Sequence, residues 1–131
     1  MILLDTQALI WLTGDKKKLS LKALRYIEKS ISKKEIFVSS FSIWEISLLV
    51  KKGRLRLSTD IESWIQQIED LNIFKFIPVN NEIAIKSVFL PGSFHQDPAD
   101  RIIIATALVY GASIVTSDRR ILKYPQAQTI W

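Results

Sequence analysis

Short apolar segments alternate with longer amphipathic segments along the chain of 131 residues. The first apolar segment, residues 1–4, suits a buried strand whose carboxyl end reaches a polar site at Asp5. Strands that alternate with helices predict a parallel sheet that is covered by helices on both faces. The predicted strands are residues 1–4, 36–38, 74–79 and 113–115, with residues 129–131 as a last edge strand.

The segments between these strands carry the start and stop signals of helices. Ser20 is a good N-cap, and Gly53 lies where a helix that holds Glu45 would end. No repeat, linker or low-complexity tract divides the chain, so we expect a single domain over residues 1–131. The predicted helices are residues 6–12, 20–31, the segment that ends before Gly53, and residues 60–71, 80–89 and 97–110.

Composition excludes several kinds of protein. The chain has no cysteine, which excludes disulfides and thiolate metal sites. Its longest uncharged run, residues 102–117, has 16 residues and is short for a membrane span, and the start MILLDT lacks the basic region of a signal peptide. We therefore expect a cytoplasmic protein with no membrane partner. The net charge of +5 fits a polyanionic partner and an ordinary basic protein equally well.

Four acidic residues lie at positions that do not suit an ordinary solvent-exposed charge. Asp5 and Asp118 follow apolar strands, at the strand ends where ligands bind in parallel α/β sheets. Glu45 lies among apolar residues in SIWEISLL, and Asp100, in DPAD, falls on a helix face that should pack inward. Structural alternatives exist, because Asp5 can cap a helix and Asp118 can form a turn. Asp97 and Asp100 both suit the start of a helix.

The structural alternative for Glu45 depends on where its helix begins. Ser42 and Glu45 have the S-x-x-E spacing of a capping box, which would start the helix at Ser42 and keep Glu45 near solvent. Ser39 or Ser40 would cap the helix equally well. Glu45 would then fall in the second turn, next to apolar side chains such as Trp44. The sequence leaves both interpretations open.

We expect the four acids to converge at one edge of the sheet, because strand ends and helix starts meet there in right-handed β-α-β units. Four neighbouring carboxylates stay ionised only with a cation, and their hard oxygen atoms favour Mg²⁺, or Mn²⁺ as a substitute. Such ions commonly act on phosphates. A shared ion requires the carboxylates to lie within about 8 Å of one another. A zinc site rich in nitrogen or sulfur lacks ligands, since His95 is the only histidine and is expected to be a loop residue.

Three blocks of the sequence resemble the PIN-domain ribonucleases, specifically the VapC-type toxins of toxin–antitoxin pairs. The blocks are MILLDTQALIW, SSFSIWEISLLVKKGRL and HQDPADRIIIATALVYGASIVTSD, and the resemblance extends over essentially the whole chain. The chain departs from the family pattern at Gln7, where relatives often carry Asn or His, but it keeps all four carboxylates. The resemblance implies a PIN-like three-layer α/β/α sandwich with a central, mainly parallel sheet of four to five short strands.

The same resemblance implies a role for each acid. Asp5 and Asp100 would be the main metal ligands and catalytic residues. Glu45 would bind metal or position the attacking water, and Asp118 would hold a second or weaker metal position.

Other residues would support this site or contact the substrate. The Thr116 hydroxyl would support the site, and Asp97 would mainly cap its helix. Basic residues beside the acids and after the Glu45 helix could hold RNA phosphates, although a charged helix end would also explain the lysine pair. These candidates for RNA binding are Lys51, Lys52, Arg54, Arg101 and Arg119.

The implied function is Mg²⁺-dependent endonucleolytic cleavage of RNA by the toxin of a type II toxin–antitoxin pair. The implied partners are the RNA substrate, a VapB-like antitoxin whose tail occupies the active-site groove, and a second copy of the chain in a homodimer. One alternative is a PIN nuclease that acts in RNA processing and is not a toxin. A phosphatase or receiver-like domain built around Asp5 is disfavoured, because Thr6 and Gln7 stand where a further acid would be expected. A third alternative is a non-catalytic binding module whose acids only cap helices.

Overall fold

Residues 1–131 are described by a computed structural model, in which five strands form one sheet. The strands lie in the order β3-β2-β1-β4-β5, and every neighbouring pair is parallel. The predicted parallel sheet is therefore confirmed, with the last strand at one edge. The strands are β1 (Ile2–Leu4), β2 (Ile36–Ser39), β3 (Phe74–Ile77), β4 (Ser113–Val115) and β5 (Thr129–Ile130).

Seven helices connect or flank the strands, and each begins after a Ser, Asp or Asn whose side chain accepts a backbone N–H of the first turn. Six of them match predicted segments, whereas α7 was not predicted because four residues are too few to show a periodic pattern. None of the helices combines the length and the apolar character that crossing a membrane requires. The helices are α1 (Thr6–Thr13), α2 (Leu21–Lys33), α3 (Ser40–Lys51), α4 (Ile61–Asp70), α5 (Asn81–Val88), α6 (Pro98–Tyr110) and α7 (Arg119–Leu122).

The helices form one layer on each face of the sheet. Successive side chains of a strand point to opposite faces, so β1 contributes to two separate cores. Ile2 and Leu4 pack with buried residues of α1 to α4, and Leu3 packs with buried residues of α5 to α7. Both cores are dominated by Ile, Leu, Val and Ala side chains that are almost fully buried. The structure is thus a three-layer α/β/α sandwich, as the resemblance implied.

The strand register brings polar residues to the same edge of the sheet. Leu4, at the end of β1, pairs with Val38 of β2 on one side and with Val115 of β4 on the other. The next residues along these strands, Asp5, Ser39 and Thr116, therefore emerge at the same level. α1 begins directly after β1, and α3 directly after β2. α6 packs against α3 and β4, which places the start of α6 beside the same edge.

Candidate functional site

A cleft of about 330 Å³ opens at the carboxyl edge of the sheet, and all four singled-out acids line it. The structure therefore brings together the residues that the sequence placed on four different elements. Their metal-binding and catalytic roles stay predictions, because the geometry describes only where they lie. The lining residues are Asp5, Thr6, Gln7, Glu45, Leu49, Asp100, Ile103, Ser117 and Asp118.

Asp5 lies at the bottom of the cleft and is almost fully buried. Its Oδ1 accepts the backbone N–H of Ala8 at 2.7 Å, so Asp5 is the N-cap of α1 as well as a cleft residue. Burial raises its pKa above the usual value, although hydrogen bonds from Thr116 and Ala8 oppose this rise. The fully buried Thr116 hydroxyl also accepts the backbone N–H of Asp118 at 3.0 Å, which links the first acid to the last.

Glu45 lies in the second turn of α3, because the cap of this helix is Ser39, whose hydroxyl accepts the backbone N–H of Phe41 at 3.1 Å. The capping-box interpretation is therefore wrong. Thr6 Oγ1 lies 2.5 Å from Glu45 Oε1 and 2.9 Å from Ser42 Oγ. A hydroxyl has one proton, so Thr6 donates to the carboxylate and accepts from Ser42. Burial is the main cause that raises the pKa of Glu45.

Asp100 has a strongly perturbed carboxyl group. Asp97 caps α6 by accepting the backbone N–H of Ala99 at 2.9 Å, and Asp100 follows in the first turn. Burial, followed by the charges of Asp118 and Asp97, raises the pKa of Asp100 to about 7. His95 Nδ1 accepts the backbone N–H of Asp97 at 3.2 Å. The other ring nitrogen, Nε2, lies 3.1 Å from Asp100 Oδ2 but is not aligned for a hydrogen bond with it.

Asp118 completes the group at the start of α7. Its Oδ1 accepts the backbone N–H of Arg120 at 2.8 Å, and the Arg120 side chain folds back over the cleft. Arg120 Nη2 lies 3.4 Å from Asp100 Oδ2 and 3.6 Å from Asp118 Oδ2. Because both carboxylate oxygens lie so close to the same nitrogen, the distance between them is less than about 8 Å, the limit for sharing an ion.

The donor set suits a hard divalent cation. All four cleft acids offer carboxylate oxygens, the ligands that Mg²⁺ and Mn²⁺ prefer. A cation would also relieve the electrostatic cost that raises the pKa values of Asp5, Glu45 and Asp100. No three acidic or histidine side chains are spaced so that they already enclose an ion. Binding would therefore require these side chains to draw closer together.

Comparison with known proteins places this arrangement in a family. The family model of the PIN domain matches residues 2–127. This chain belongs to the PIN-domain family. A relative named Ribonuclease VapC22, from Mycobacterium tuberculosis (strain ATCC 25618 / H37Rv), is 33% identical over 132 residues, which are 99% of this chain and 98% of the relative.

Two solved structures share the fold of this PIN domain. FitAcB from Neisseria gonorrhoeae superposes with a TM-score of 0.71 at 18% identity, over 98% of this chain and 96% of that chain. DNA-bound VapBC from Salmonella typhimurium also gives a TM-score of 0.71 at 18% identity, over 98% of this chain and 95% of that chain. At such low identity these structures support the fold alone, and they agree with the three-layer sandwich described above.

The basic residues of this PIN domain fall into two groups. Lys51, Lys52, Arg54 and Arg119 are exposed and free to contact a polyanion. Arg101 is different, because its guanidinium donates to four backbone carbonyls at the end of α5 and in the following loop. These contacts give Arg101 a structural role, because the side chain holds the loop that carries His95. Its contact with RNA phosphates stays a prediction. The four carbonyls belong to Ser87, Val88, Phe94 and His95.

A second cleft of about 570 Å³ adjoins the acidic cleft and shares Gln7 and Leu49 with it. Trp11 and Trp64 line it together with basic side chains. Trp11 also packs on Trp131, with ring centroids 5.7 Å apart. The basic residues of this cleft are Lys18, Arg54 and Arg56.

Sequence reasoning missed two hydroxyls that position an acid of this PIN domain. Thr6 and Ser42 hold Glu45, yet Ser42 was considered only as a helix cap. The signal was present, because the capping-box spacing also places a serine one turn before Glu45 on the same helix face. His95 is a loop residue as expected, but its ring lies against Asp100. No sequence pattern indicated that contact.

Proposed function

We propose that this PIN domain is a Mg²⁺-dependent endoribonuclease that acts as the toxin of a type II toxin–antitoxin pair in the cytoplasm. The observation that carries the proposal is the single cleft in which four carboxylates converge. Three of them have raised pKa values. The match to a relative named as a ribonuclease over almost the full length of both chains supports the RNA substrate.

The chain's own residues account for the chemistry as follows. Asp5 and Asp100 would hold the divalent cation, with Asp118 as a weaker ligand. When bound, Mg²⁺ would make water a stronger nucleophile and neutralise charge on the scissile phosphate. Glu45, fixed by Thr6, orients the water for in-line attack at phosphorus. No covalent nucleophile is required, and we expect products with 5′-phosphate and 3′-hydroxyl ends.

We propose that the tail of a VapB-like antitoxin lies in the second cleft and reaches the acids from there. The two clefts adjoin at Gln7 and Leu49, so one extended peptide can occupy both. The aromatic walls and the basic rim suit a peptide that carries apolar and acidic side chains. Solved relatives of the same fold include structures described as VapBC and as a toxin–antitoxin complex.

We propose that the chain forms a homodimer through the exposed end of α5. Ile85, Val88 and Phe89 are spaced as neighbours on one helix face, and their exposed fractions are 62%, 65% and 76%. An exposed apolar patch of this kind is a candidate protein–protein interface. Val88→Glu should convert a dimer to a monomer in sedimentation velocity, whereas Lys86→Glu, on the same helix, should not. A wild-type chain that sediments as a monomer would contradict the proposal.

The nuclease proposal is tested by RNA cleavage with purified protein in Mg²⁺ and in EDTA, followed by mapping of the RNA ends. Asp5→Asn and Asp100→Asn should abolish cleavage and leave the circular dichroism spectrum unchanged. The control Glu69→Gln, an exposed acid of α4, should cleave like the wild type. Undiminished cleavage in both cleft variants would refute the assignment.

Induction in cells separates the toxin from the alternatives. Growth arrest that is lost in Asp100→Asn and relieved by the cognate antitoxin supports the toxin. Cleavage without growth arrest would instead support a PIN nuclease in RNA processing. A protein that binds RNA but never cleaves it would support the non-catalytic binding module.

A further inference from the structure

Arg120 has a position that no lysine and no other arginine of the molecule shares. The chain has 18 lysine and arginine residues, yet Arg120 is the only one whose side chain forms an ion pair with a carboxylate. Both of its partners, Asp100 and Asp118, are acids of the cleft. In a basic protein whose other charged side chains are largely solvated, this selective pairing requires an explanation.

The local structure holds Arg120 in place from its backbone. Asp118 Oδ1 accepts the Arg120 backbone N–H at 2.8 Å, which fixes the start of α7. The side chain then turns back, so that Nη2 lies between Oδ2 of Asp118 and Oδ2 of Asp100. Both distances, 3.6 and 3.4 Å, are longer than those of a tight arginine–carboxylate pair. The side chain is 59% exposed, so solvent lies beside it and it can leave without repacking the core.

The carboxylates need positive charge, and Arg120 supplies part of it. Repulsion among the acids and burial both disfavour ionised Asp100, while the charge of Arg120 favours it. A divalent cation on Asp100 and Asp118 would compete for the same oxygens and would also repel the guanidinium. The two positive groups are therefore expected to exclude one another.

We propose that Arg120 is a built-in counter-ion for Asp100 and Asp118, and that divalent cation binding displaces it toward solvent. The inference rests on the proposed metal-dependent function and adds to it a residue that opposes metal binding. Removing the guanidinium should then strengthen metal binding and make the metal-free protein less stable. Removing a surface side chain that has no counter-ion role would change neither metal binding nor the stability of the metal-free protein.

The test measures Mn²⁺ binding without RNA, by calorimetry, for the wild type, Arg120→Gln and Arg119→Gln. Arg119 is a matched control, because it precedes Arg120 on α7, is exposed, and makes no ion pair. Both variants lose one positive charge, so long-range electrostatics change equally. From the usual strength of exposed ion pairs, Arg120→Gln should lower the Kd for Mn²⁺ by about twofold to fivefold, with little change in Arg119→Gln. Thermal unfolding should show a lower Tm for Arg120→Gln in EDTA and a larger rise in Tm on addition of Mn²⁺.

The outcomes separate this inference from the proposed function. If the wild type binds Mn²⁺ and cleaves RNA, but Arg120→Gln and Arg119→Gln have the same Kd for Mn²⁺, the counter-ion role is refuted and the nuclease stands. Weaker Mn²⁺ binding in Arg120→Gln would also refute it. If the wild type binds no Mn²⁺, both proposals fail. If it binds Mn²⁺ without cleaving RNA, and Arg120→Gln binds more tightly, the counter-ion role is supported and the nuclease is refuted.

Discussion

Replacing Asp100 with asparagine removes a charge that the cleft strongly disfavours, and the effect of this substitution on stability in the absence of metal should depend on pH. The pKa of Asp100 rises from 3.8 to about 7 in the folded protein. Between these two pH values the folded protein holds a proton that the unfolded chain has lost. Stability therefore falls as the pH rises through this window, and the full cost of the buried charge is reached above about pH 7.

The size of the effect follows from the pKa shift. One pKa unit corresponds to 1.36 kcal/mol, so the full cost above pH 7 is roughly 4 kcal/mol, and at pH 5 it is roughly 1.5 kcal/mol. The Asp100 side chain is 19% exposed, so solvent screens little of this difference. The attraction of Arg120 is already part of this pKa, so its loss in the variant is not counted again. We expect Asp100→Asn to stabilise the metal-free protein by about 2 kcal/mol more at pH 8 than at pH 5.

The assay is urea unfolding in EDTA at the two pH values, with the exposed acid Glu69→Gln as the control. The control should change the free energy of unfolding by less than about 0.5 kcal/mol at either pH. Addition of Mg²⁺ at the higher pH should stabilise the wild type and have little effect on Asp100→Asn, because the variant has lost a proposed ligand. An equal effect of Asp100→Asn at both pH values would refute the electrostatic reasoning.

Three further predictions concern the residues around the acids. Glu45→Gln should lower kcat for RNA cleavage by about 10²-fold or more. The circular dichroism spectrum should not change, because Ser39 caps the helix. Retained activity would remove Glu45 from the mechanism. In the wild type, the hydrogen bond from Thr6 lowers the pKa of Glu45. Thr6→Val removes this bond, so the pKa of Glu45 should rise and the acidic limb of the pH profile of kcat/KM should move to higher pH. Arg101→Ala should lower the free energy of unfolding in urea by about 2–4 kcal/mol, since four carbonyls lose a charged donor, whereas Arg119→Ala should have almost no effect.

The sequence predicted the fold well because its signals are local. Ser20, Asp60 and Asn80 are strong N-caps, and each stands at the start of a helix in the structure. Short apolar segments between such helices leave little choice besides a parallel sheet. α7 escaped prediction since a single turn has no periodicity, and the structural alternative given for Asp118 was a turn and not a helix cap.

The convergence of the acids was predicted from topology, whereas their immediate surroundings were not. Thr6 and Glu45 are 39 positions apart in the chain, so no spacing rule connects them. The same holds for Arg120 and Asp100. The contacts of Arg101 with loop carbonyls were not predicted either, because a basic residue beside an acid in the sequence need not share its side of the helix. Such contacts depend on side-chain directions that only the packed structure defines.

Three acids of the cleft region, Asp5, Asp97 and Asp118, are also the residues that start helices. Asparagine is as good a cap as aspartate, so each of these positions can lose its charge and keep its helix. Alanine would remove both the charge and the helix cap, so an alanine scan could not distinguish a loss of activity from a loss of stability. At these positions, an amide in place of the carboxylate removes the negative charge of that residue and leaves the protein folded. On the proposed roles of Asp5 and Asp118, a single substitution to asparagine would therefore give a folded protein without nuclease activity.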